Sequence, residues 1–219
     1  MQDRMRGIMA DSTEFENYIL LTKGAEAEIV EKKSRFIATV RPVATEEEAV
    51  AFIEEMKKKY YDARHNCSAF VIGSKGQITR SSDDGEPSGT AGRPMLEVLL
   101  GSEIRNVAAV VTRYFGGVLL GTGGLVRAYQ GALKKALEEC ETAQKYFGVK
   151  TKIKTDYNGV GKIQYILASK GINILDSVYG VDVELTVIVP IEEYDRLCKE
   201  ITEATSARAG IEEIEKGYY

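Results

Sequence analysis

The hydrophobic positions in the first part of the chain change period several times, which predicts a mixed α and β domain. Strand-like patterns over residues 26–31 and 35–41, separated by a polar turn, predict a β-hairpin. Thr45 precedes three glutamates and an apolar pattern of helical period, so a helix is predicted over residues 46–60. Further strands are predicted over residues 65–72, 77–80 and 106–112, a short helix over residues 94–100, and an amphipathic helix over residues 123–139 with Thr122 as its N-cap.

A polar segment over residues 138–144 interrupts this pattern, and a second set of elements follows it. We place a domain boundary there, between residues 1–140 and residues 141–219. Strands are predicted over residues 148–155, 172–178, 183–189 and 209–215, and helices over residues 160–169 and 191–205. The order βαββαβ is typical of a ferredoxin-like sandwich, so the fold class is α+β with two domains. Residues 1–14 have the pattern of a frayed tail.

Composition places the chain among ordinary globular proteins: 219 residues, 44% hydrophobic and 28% charged, with a formal charge of −4. This acidic balance excludes binding to nucleic acid through bulk charge, so any such contact must be local. No apolar run has the length of a membrane span or the form of a signal peptide, which predicts a cytoplasmic protein with no membrane partner. Three widely separated cysteines, Cys67, Cys140 and Cys198, fit a reducing compartment without a disulfide framework.

A glycine-rich segment between a predicted strand and a predicted helix is the most informative part of the chain. It contains Gly116, Gly117, Gly121, Gly123 and Gly124, and residues 104–137 contain no Asp or Glu. Free amides at the start of a helix favour an anion, whereas glycines also allow helix and sheet to pack closely. Both interpretations remain open at this stage. The spacing matches neither a P-loop, which requires Lys in place of Thr122, nor a dinucleotide fingerprint, which requires a small residue in place of Val126.

Basic and aromatic side chains near these glycines are candidate contacts for an anion or for RNA. Guanidinium groups bind phosphate in a bidentate manner, which selects Arg93, Arg113 and Arg127. Tyr114 and Phe115 either stack on a base or pack in the core. In the second domain, Lys150, Lys152 and Lys154 alternate along one strand and therefore share a face, which is either an RNA-facing stripe or a solvated surface.

The long polar loop over residues 81–94 contains Asp83, Asp84 and Glu86 within four positions. Such oxygen ligands could hold Mg²⁺ against a phosphate on the glycine turn, or they could cap backbone amides in a solvated turn. His65 and Cys67 are two positions apart on a predicted strand, so they form either a nucleophilic pair or a buried pair without reactivity.

Two long motifs resemble those of the IMPACT family: Ser-Asp-Asp-Gly-Glu-Pro-Ser-Gly-Thr-Ala-Gly-Arg-Pro over residues 82–94, and the segments Arg-Tyr-Phe-Gly-Gly and Leu-Gly-Thr-Gly-Gly-Leu over residues 113–117 and 120–125. The resemblance covers nearly the whole chain and marks it as similar to bacterial members. It implies an N-terminal domain with the fold of ribosomal protein S5 domain 2 and a C-terminal ferredoxin-like domain similar to those of elongation factor G. It also implies a link to translation. Eukaryotic relatives act by protein contact in the amino-acid-starvation response, with an accessory domain that this chain lacks.

Neither a catalytic triad nor a familiar cofactor motif is present, so the sequence predicts a binding protein without a cofactor. Its partner would be RNA, the ribosome or a translation-associated protein, and the sequence does not indicate an oligomeric state. The alternative is an enzyme that acts on a phosphorylated small molecule or nucleotide, with Mg²⁺ at the acidic loop and phosphate at the glycine turn.

Overall fold

A computed structural model of the protein describes residues 17–219, which form two compact units, Tyr18–Gln144 and Lys145–Tyr219. The tail predicted over residues 1–14 lies outside the described residues. The division falls after Gln144 rather than after residue 140, because residues 141–145 form a strand in a sheet of the first unit.

The first unit contains eight strands and three helices within its described residues. They are β1 (Tyr18–Lys23), β2 (Glu26–Glu31), β3 (Ser34–Pro42), α1 (Glu46–Lys59), β4 (His65–Ile72), β5 (Ile78–Ser82), α2 (Gly92–Gly101), β6 (Ile104–Arg105), β7 (Val107–Tyr114), α3 (Thr122–Glu138) and β8 (Glu141–Lys145). Five strands form an antiparallel sheet in the order β2-β3-β7-β4-β5. The unit is an α+β domain, as the resemblance implied.

Helices cover both faces of this sheet, which explains why its central strand β7 is almost continuously apolar. On one face, Phe52 and Met56 of α1 pack against the sheet in one hydrophobic cluster. On the other face, α2 and α3 contribute Met95, Tyr129 and Leu133 to a larger cluster. Helix α3 therefore lies on the same face of the sheet as α2, the helix into which the acidic loop leads.

Three strands of the first unit were not predicted from the sequence, β1, β6 and β8. They form a small sheet in the order β6-β1-β8. β8 is polar, and long-range contacts hold it: Thr22 donates a hydrogen bond to the carbonyl of Glu141 at 3.0 Å, and Lys23 pairs with the Glu141 carboxylate at 2.7 Å. Because polar, long-range contacts stabilise β8, its sequence lacks the apolar alternation from which a strand is predicted.

The second unit confirms the predicted βαββαβ order. Its elements are β9 (Phe147–Thr155), α4 (Tyr157–Ser169), β10 (Ile174–Tyr179), β11 (Val183–Pro190), α5 (Ile191–Ala204) and β12 (Gly210–Tyr218). The strands form an antiparallel sheet in the order β10-β11-β9-β12, and residues of α4 and α5 complete its apolar core with Ile153, Leu185 and Val187. This is the ferredoxin-like arrangement.

None of the helices within residues 17–219 combines the length and the apolar character that crossing a bilayer requires.

Candidate functional site

Asp83 organises the acidic loop through its carboxylate. Its oxygens accept hydrogen bonds from the backbone amides of Gly89 (2.8 Å), Ala91 (3.0 Å) and Gly92 (2.8 Å), the last at the first residue of α2. Burial alone would raise the pKa of Asp83, but these three amides hold the pKa below its ordinary value. Asp83 thus closes the loop and takes the place of a capping side chain, which the N-cap residue Ala91 does not provide.

Replacing Asp83 with Ala should lower the free energy of unfolding by about 2 kcal/mol near neutral pH, because the start of α2 loses its acceptor. The folded pKa lies below the unfolded value near 3.8, so this contribution is complete above that value and disappears as pH falls through the folded pKa. Urea unfolding at several pH values measures the effect, with Asp182→Ala as the control, which removes a half-exposed carboxylate 3.3 Å from Lys154. Equal losses for the two variants at neutral pH would contradict this role.

The other polar groups at this loop bind one another rather than a ligand. The carboxylate of Asp84 accepts a hydrogen bond from the backbone amide of Asn66 at 2.7 Å, and the backbone carbonyl of Asp84 accepts one from His65 Nδ1 at 2.9 Å. The thiol of Cys67 donates to the carbonyl of Asp83 at 3.0 Å, and burial raises its pKa to about 12. His65 and Cys67 are therefore both held by the acidic loop, and the protonated thiol is not an activated nucleophile.

The two sequence motifs meet at a buried ion pair. Arg113, at the end of β7, donates to Oε1 of Glu86 at 2.6 Å, and the hydroxyl of Tyr129 in α3 donates to the same oxygen at 2.8 Å. The Arg113 and Glu86 side chains are only 8% and 3% exposed. The sequence suggested Arg113 as an anion contact, but the structure places its charge in the core, where Glu86 neutralises it.

The three carboxylates suggested as magnesium ligands thus have separate protein partners. Asp83 binds loop amides, Asp84 binds the Asn66 amide, and Glu86 binds Arg113 and Tyr129. Within residues 17–219, no group of three or more His, Cys, Asp or Glu side chains is arranged to hold a metal ion. The geometry supports the capping interpretation of this loop and does not bring the three side chains to one ion.

The glycines of the second motif have different physical roles. A Cβ atom at Gly116 would lie 2.0 Å from the carbonyl carbon of Lys33, so this position must be glycine for the β2–β3 turn to approach. Gly117 and Gly121 have φ values of 82° and 74°, which L-residues rarely adopt. A Cβ at Gly124 would lie 3.0 Å from Cβ of Leu120, whereas at Gly123 the nearest atom would be Nη1 of Arg127 at 3.6 Å. Packing and turn geometry therefore explain Gly116, Gly117 and Gly121 but do not explain Gly123.

Helix α3 begins at this turn without a capping side chain. Its N-cap is Gly121, so the prediction of Thr122 as N-cap is wrong, and its first turn contains no acidic residue. No acidic residue of this turn compensates the positive end of the helix dipole, although Glu31 of β2 lines the neighbouring cavity. This cavity has a volume of about 230 Å³ and is lined by Ile29, Glu31, Lys32, Leu120, Gly124, Arg127 and Ala128. Arg127 is exposed, and no acidic side chain in the described part of the chain forms an ion pair with it.

Apolar side chains project from the loop just before this helix. Phe115, Val118 and Leu119 are 52%, 40% and 82% exposed. The neighbouring β2–β3 turn adds two exposed lysines in a strained conformation, with φ of 46° at Lys32 and 69° at Lys33. We call the combined region the glycine-loop surface; it comprises Lys32, Lys33, Phe115, Val118, Leu119, Arg127 and the amides at residues 122–124. The sequence reasoning missed Lys32 and Lys33, although a two-residue turn without Gly, Asn or Asp was a signal of strain.

The remaining candidate contacts lie elsewhere and have partners of their own. Tyr114 donates to Asp62 at 2.7 Å, and Arg93 pairs with Glu97 at 3.3 Å. Lys150, Lys152 and Lys154 share one face of the sheet, but carboxylates of Glu215, Glu184 and Asp182 lie 3.4, 3.3 and 3.3 Å from them. The predicted stripe is therefore a surface of mixed charge rather than a cationic one.

Comparison with known proteins agrees with both units. The Impact N-terminal domain matches residues 32–137, and a domain of unknown function (DUF1949) matches residues 153–208. IMPACT family member YvyE of Bacillus subtilis is 40% identical over 92% of this chain and 93% of its own length. IMPACT family member YigZ of Escherichia coli is 41% identical over 78% of this chain and 85% of its own length.

A solved structure described as "Crystal structure of an hypothetical protein" has a TM-score of 0.58 and 35% identity, and covers 91% of this chain and 98% of its own. Fold and motifs thus define a protein with an Impact N-terminal domain joined to a ferredoxin-like domain. The chain belongs to the IMPACT family. More distant similarity over 98 residues, at 35% identity, links it to Protein IMPACT of Oryctolagus cuniculus, of which it covers 30%.

Proposed function

We propose that this protein is a translation-linked regulatory protein that acts by binding a translation-associated protein through the glycine-loop surface. The link to translation rests on the family: the chain is similar to bacterial IMPACT members over most of its length and to eukaryotic IMPACT proteins over the first domain. The exposed features of the glycine-loop surface support the location and the chemistry that we propose for the contact.

The observation that carries this proposal is the exposure of Leu119 beside an uncapped helix end. Single exposed apolar side chains are common, but here Phe115, Val118 and Leu119 project from one short loop with glycines on both sides of Leu119. An apolar tip next to the positive end of a helix and the Arg127 guanidinium fits a protein surface that presents an apolar pocket with acidic residues at its edge.

The distribution of cations favours a protein partner over RNA. Of the basic residues suggested as phosphate contacts, Arg113 is buried, and Arg93, Lys150, Lys152 and Lys154 lie beside carboxylates. The basic side chains that remain available for phosphate contact beside the glycine turn are those of Arg127, Lys32 and Lys33. Three phosphate contacts give a log–log salt slope of only about −2 on single-stranded RNA, because each contributes about −0.7.

Replacing Leu119 with Asp should weaken binding to translation-associated proteins about tenfold or more, because a charge replaces the apolar tip. The measurements are co-sedimentation of the tagged full chain with ribosomal particles and their bound factors, and affinity capture of the same factors from lysate with and without ribonuclease. Val50→Asp is the matched control, since Val50 is a 49% exposed aliphatic residue on α1, which covers the opposite face of the sheet.

Binding that survives ribonuclease, is lost in Leu119→Asp and is kept in Val50→Asp supports the proposal. Binding that disappears with ribonuclease, or that follows a salt slope near −2 and is lost in Arg127→Ala but not in Leu119→Asp, would assign the surface to RNA instead. One observation favours that second candidate: Phe115 is half-exposed beside the free amides of α3 and has a flat face on which a base can stack.

The enzymatic alternative has weaker support. The small cavity beside Gly124, Lys32 and Arg127 could hold a phosphate. The carboxylates suggested as Mg²⁺ ligands, Asp83, Asp84 and Glu86, do not line this cavity and are bound to protein donors.

A further inference from the structure

The guanidinium group of Arg113 lies against two phenylalanine rings. Phe36 pairs with Arg113 from the neighbouring strand β3, and its ring centre lies 5.5 Å from Cζ of Arg113. The ring centre of Phe115, two positions beyond Arg113 in sequence, also lies 5.5 Å from that atom. Phe36 is fully buried, whereas Phe115 is 52% exposed and belongs to the glycine-loop surface. Arg113 therefore makes a cation–π contact with the core and another with the surface.

Few hydrogen bonds fix this guanidinium group. Nη1 of Arg113 donates to Glu86 at 2.6 Å, whereas Nε is buried and donates to no atom of the described residues. A buried N–H group without an acceptor costs free energy, so it does not hold the side chain in place. The position of the guanidinium therefore depends on the two rings and on the charge of Glu86.

Glu86 is in turn held by the acidic loop. Its backbone amide donates to the carbonyl of Asp83 at 2.9 Å, and the carboxylate of Asp83 closes the same loop onto the start of α2. The side chain of Glu86 is 3% exposed. A continuous series of contacts thus leads from the acidic loop through Glu86 and Arg113 to the ring of Phe115.

We propose that Glu86 and Arg113 are positioning residues for Phe115, through which the acidic loop orients part of the glycine-loop surface. The effect on partner binding rests on the proposed function, whereas the orientation of Phe115 does not depend on a partner. A side chain already held in one orientation loses less conformational entropy on binding. A partner that contacts Phe115 therefore binds more tightly when the ion pair is intact.

The chain contains no Trp, so Phe115→Trp introduces a single indole whose exposure can be measured by acrylamide quenching of its fluorescence. Adding Glu86→Gln leaves the guanidinium without its counter-charge. The quenching constant should then rise about twofold, since a ring that is now half exposed is released from its cation–π contact.

Tyr129→Phe is the matched control. It removes the other hydrogen bond to the same oxygen of Glu86, at 2.8 Å, but leaves Arg113 paired. If the network only stabilises the fold, both variants should change the quenching of Trp at 115. If it positions Phe115, Glu86→Gln should change the quenching constant and Tyr129→Phe should not.

Glu86→Asp provides a second, milder variant, because it keeps the charge but shortens the side chain by one methylene group. Its quenching constant should lie between those of the wild type and Glu86→Gln, and it decides the matter if circular dichroism shows that Glu86→Gln is unfolded. With Phe115 in place, Glu86→Gln should also weaken co-sedimentation with ribosomal particles about threefold, and Glu86→Asp less.

Unchanged quenching in both Glu86 variants, or an equal rise in Tyr129→Phe, would overturn the positioning role. These outcomes are distinct from a failure of the proposed function. A wild type that does not bind ribosomal particles or their factors would contradict the function, while the quenching result would still decide whether the acidic loop orients Phe115.

Discussion

Arg113→Ala is expected to lower the free energy of unfolding of the first unit by about 3–5 kcal/mol, because it leaves the carboxylate of Glu86 buried without a counter-charge. The hydroxyl of Tyr129 would remain as a hydrogen-bond donor to that carboxylate at 2.8 Å, but it carries no charge. Since Glu86 also fixes the acidic loop against α3, the loop should become more accessible to proteolysis in the variant. Urea unfolding followed by circular dichroism gives the energy, and limited proteolysis gives the loop effect.

Arg93→Ala is the matched control for this experiment. It breaks the pair between Arg93 and Glu97, whose side chains are 80% and 58% exposed, and pairs of that kind contribute about 0–1 kcal/mol. A loss for Arg113→Ala as small as the loss for Arg93→Ala would show that the buried pair does not join the two motifs as described.

Gly116→Ala is expected to lower the free energy of unfolding by about 3 kcal/mol, because the added methyl group would overlap the backbone of Lys33, which cannot move without displacing the β2–β3 turn. Gly123→Ala should be neutral or should raise stability by up to about 1 kcal/mol, since it adds a better helix former where space is open. The two variants separate a glycine required for packing from one that leaves helix amides accessible.

A third variant, Gly123→Leu, completes this test. Its stability should remain near that of the wild type, while binding of the partner at the glycine-loop surface should weaken about tenfold, because the side chain covers the amides at the start of α3. Thermal unfolding and the co-sedimentation assay give the two quantities. Equal losses of stability for Gly116→Ala and Gly123→Ala would show that both glycines are required for packing, which would contradict a binding role for Gly123.

Much of the fold could be predicted because each element carries a local signal. The hairpin of β2 and β3, the capped helix α1 and the amphipathic helix α3 all lie within a few residues of their predicted positions. β1 and β8 were not predicted. β8 is polar, and both strands are defined by their pairing in one sheet. Pairing of that kind has no period within a single segment.

The candidate site was less predictable, because a sequence shows which charges exist but not which of them meet. One signal for Arg113 was available: it continues the alternation of Val107, Ala109 and Val111, all buried on one face of β7. Its partner Glu86 lies 27 residues away, and the carboxylates beside Lys150 and Lys152 come from other strands. Those neighbours follow from sheet register, which the sequence alone does not determine.

The most direct test of the binding role is photo-cross-linking in living cells, with a photoreactive amino acid at position 119 and, as the control, at position 50 of the full chain. The residue at 119 should cross-link to one or a few ribosomal or translation-factor proteins, identified by mass spectrometry, and the residue at 50 should not. Cross-links from both positions alike, from neither, or from 119 only to proteins unrelated to translation would contradict the proposed function.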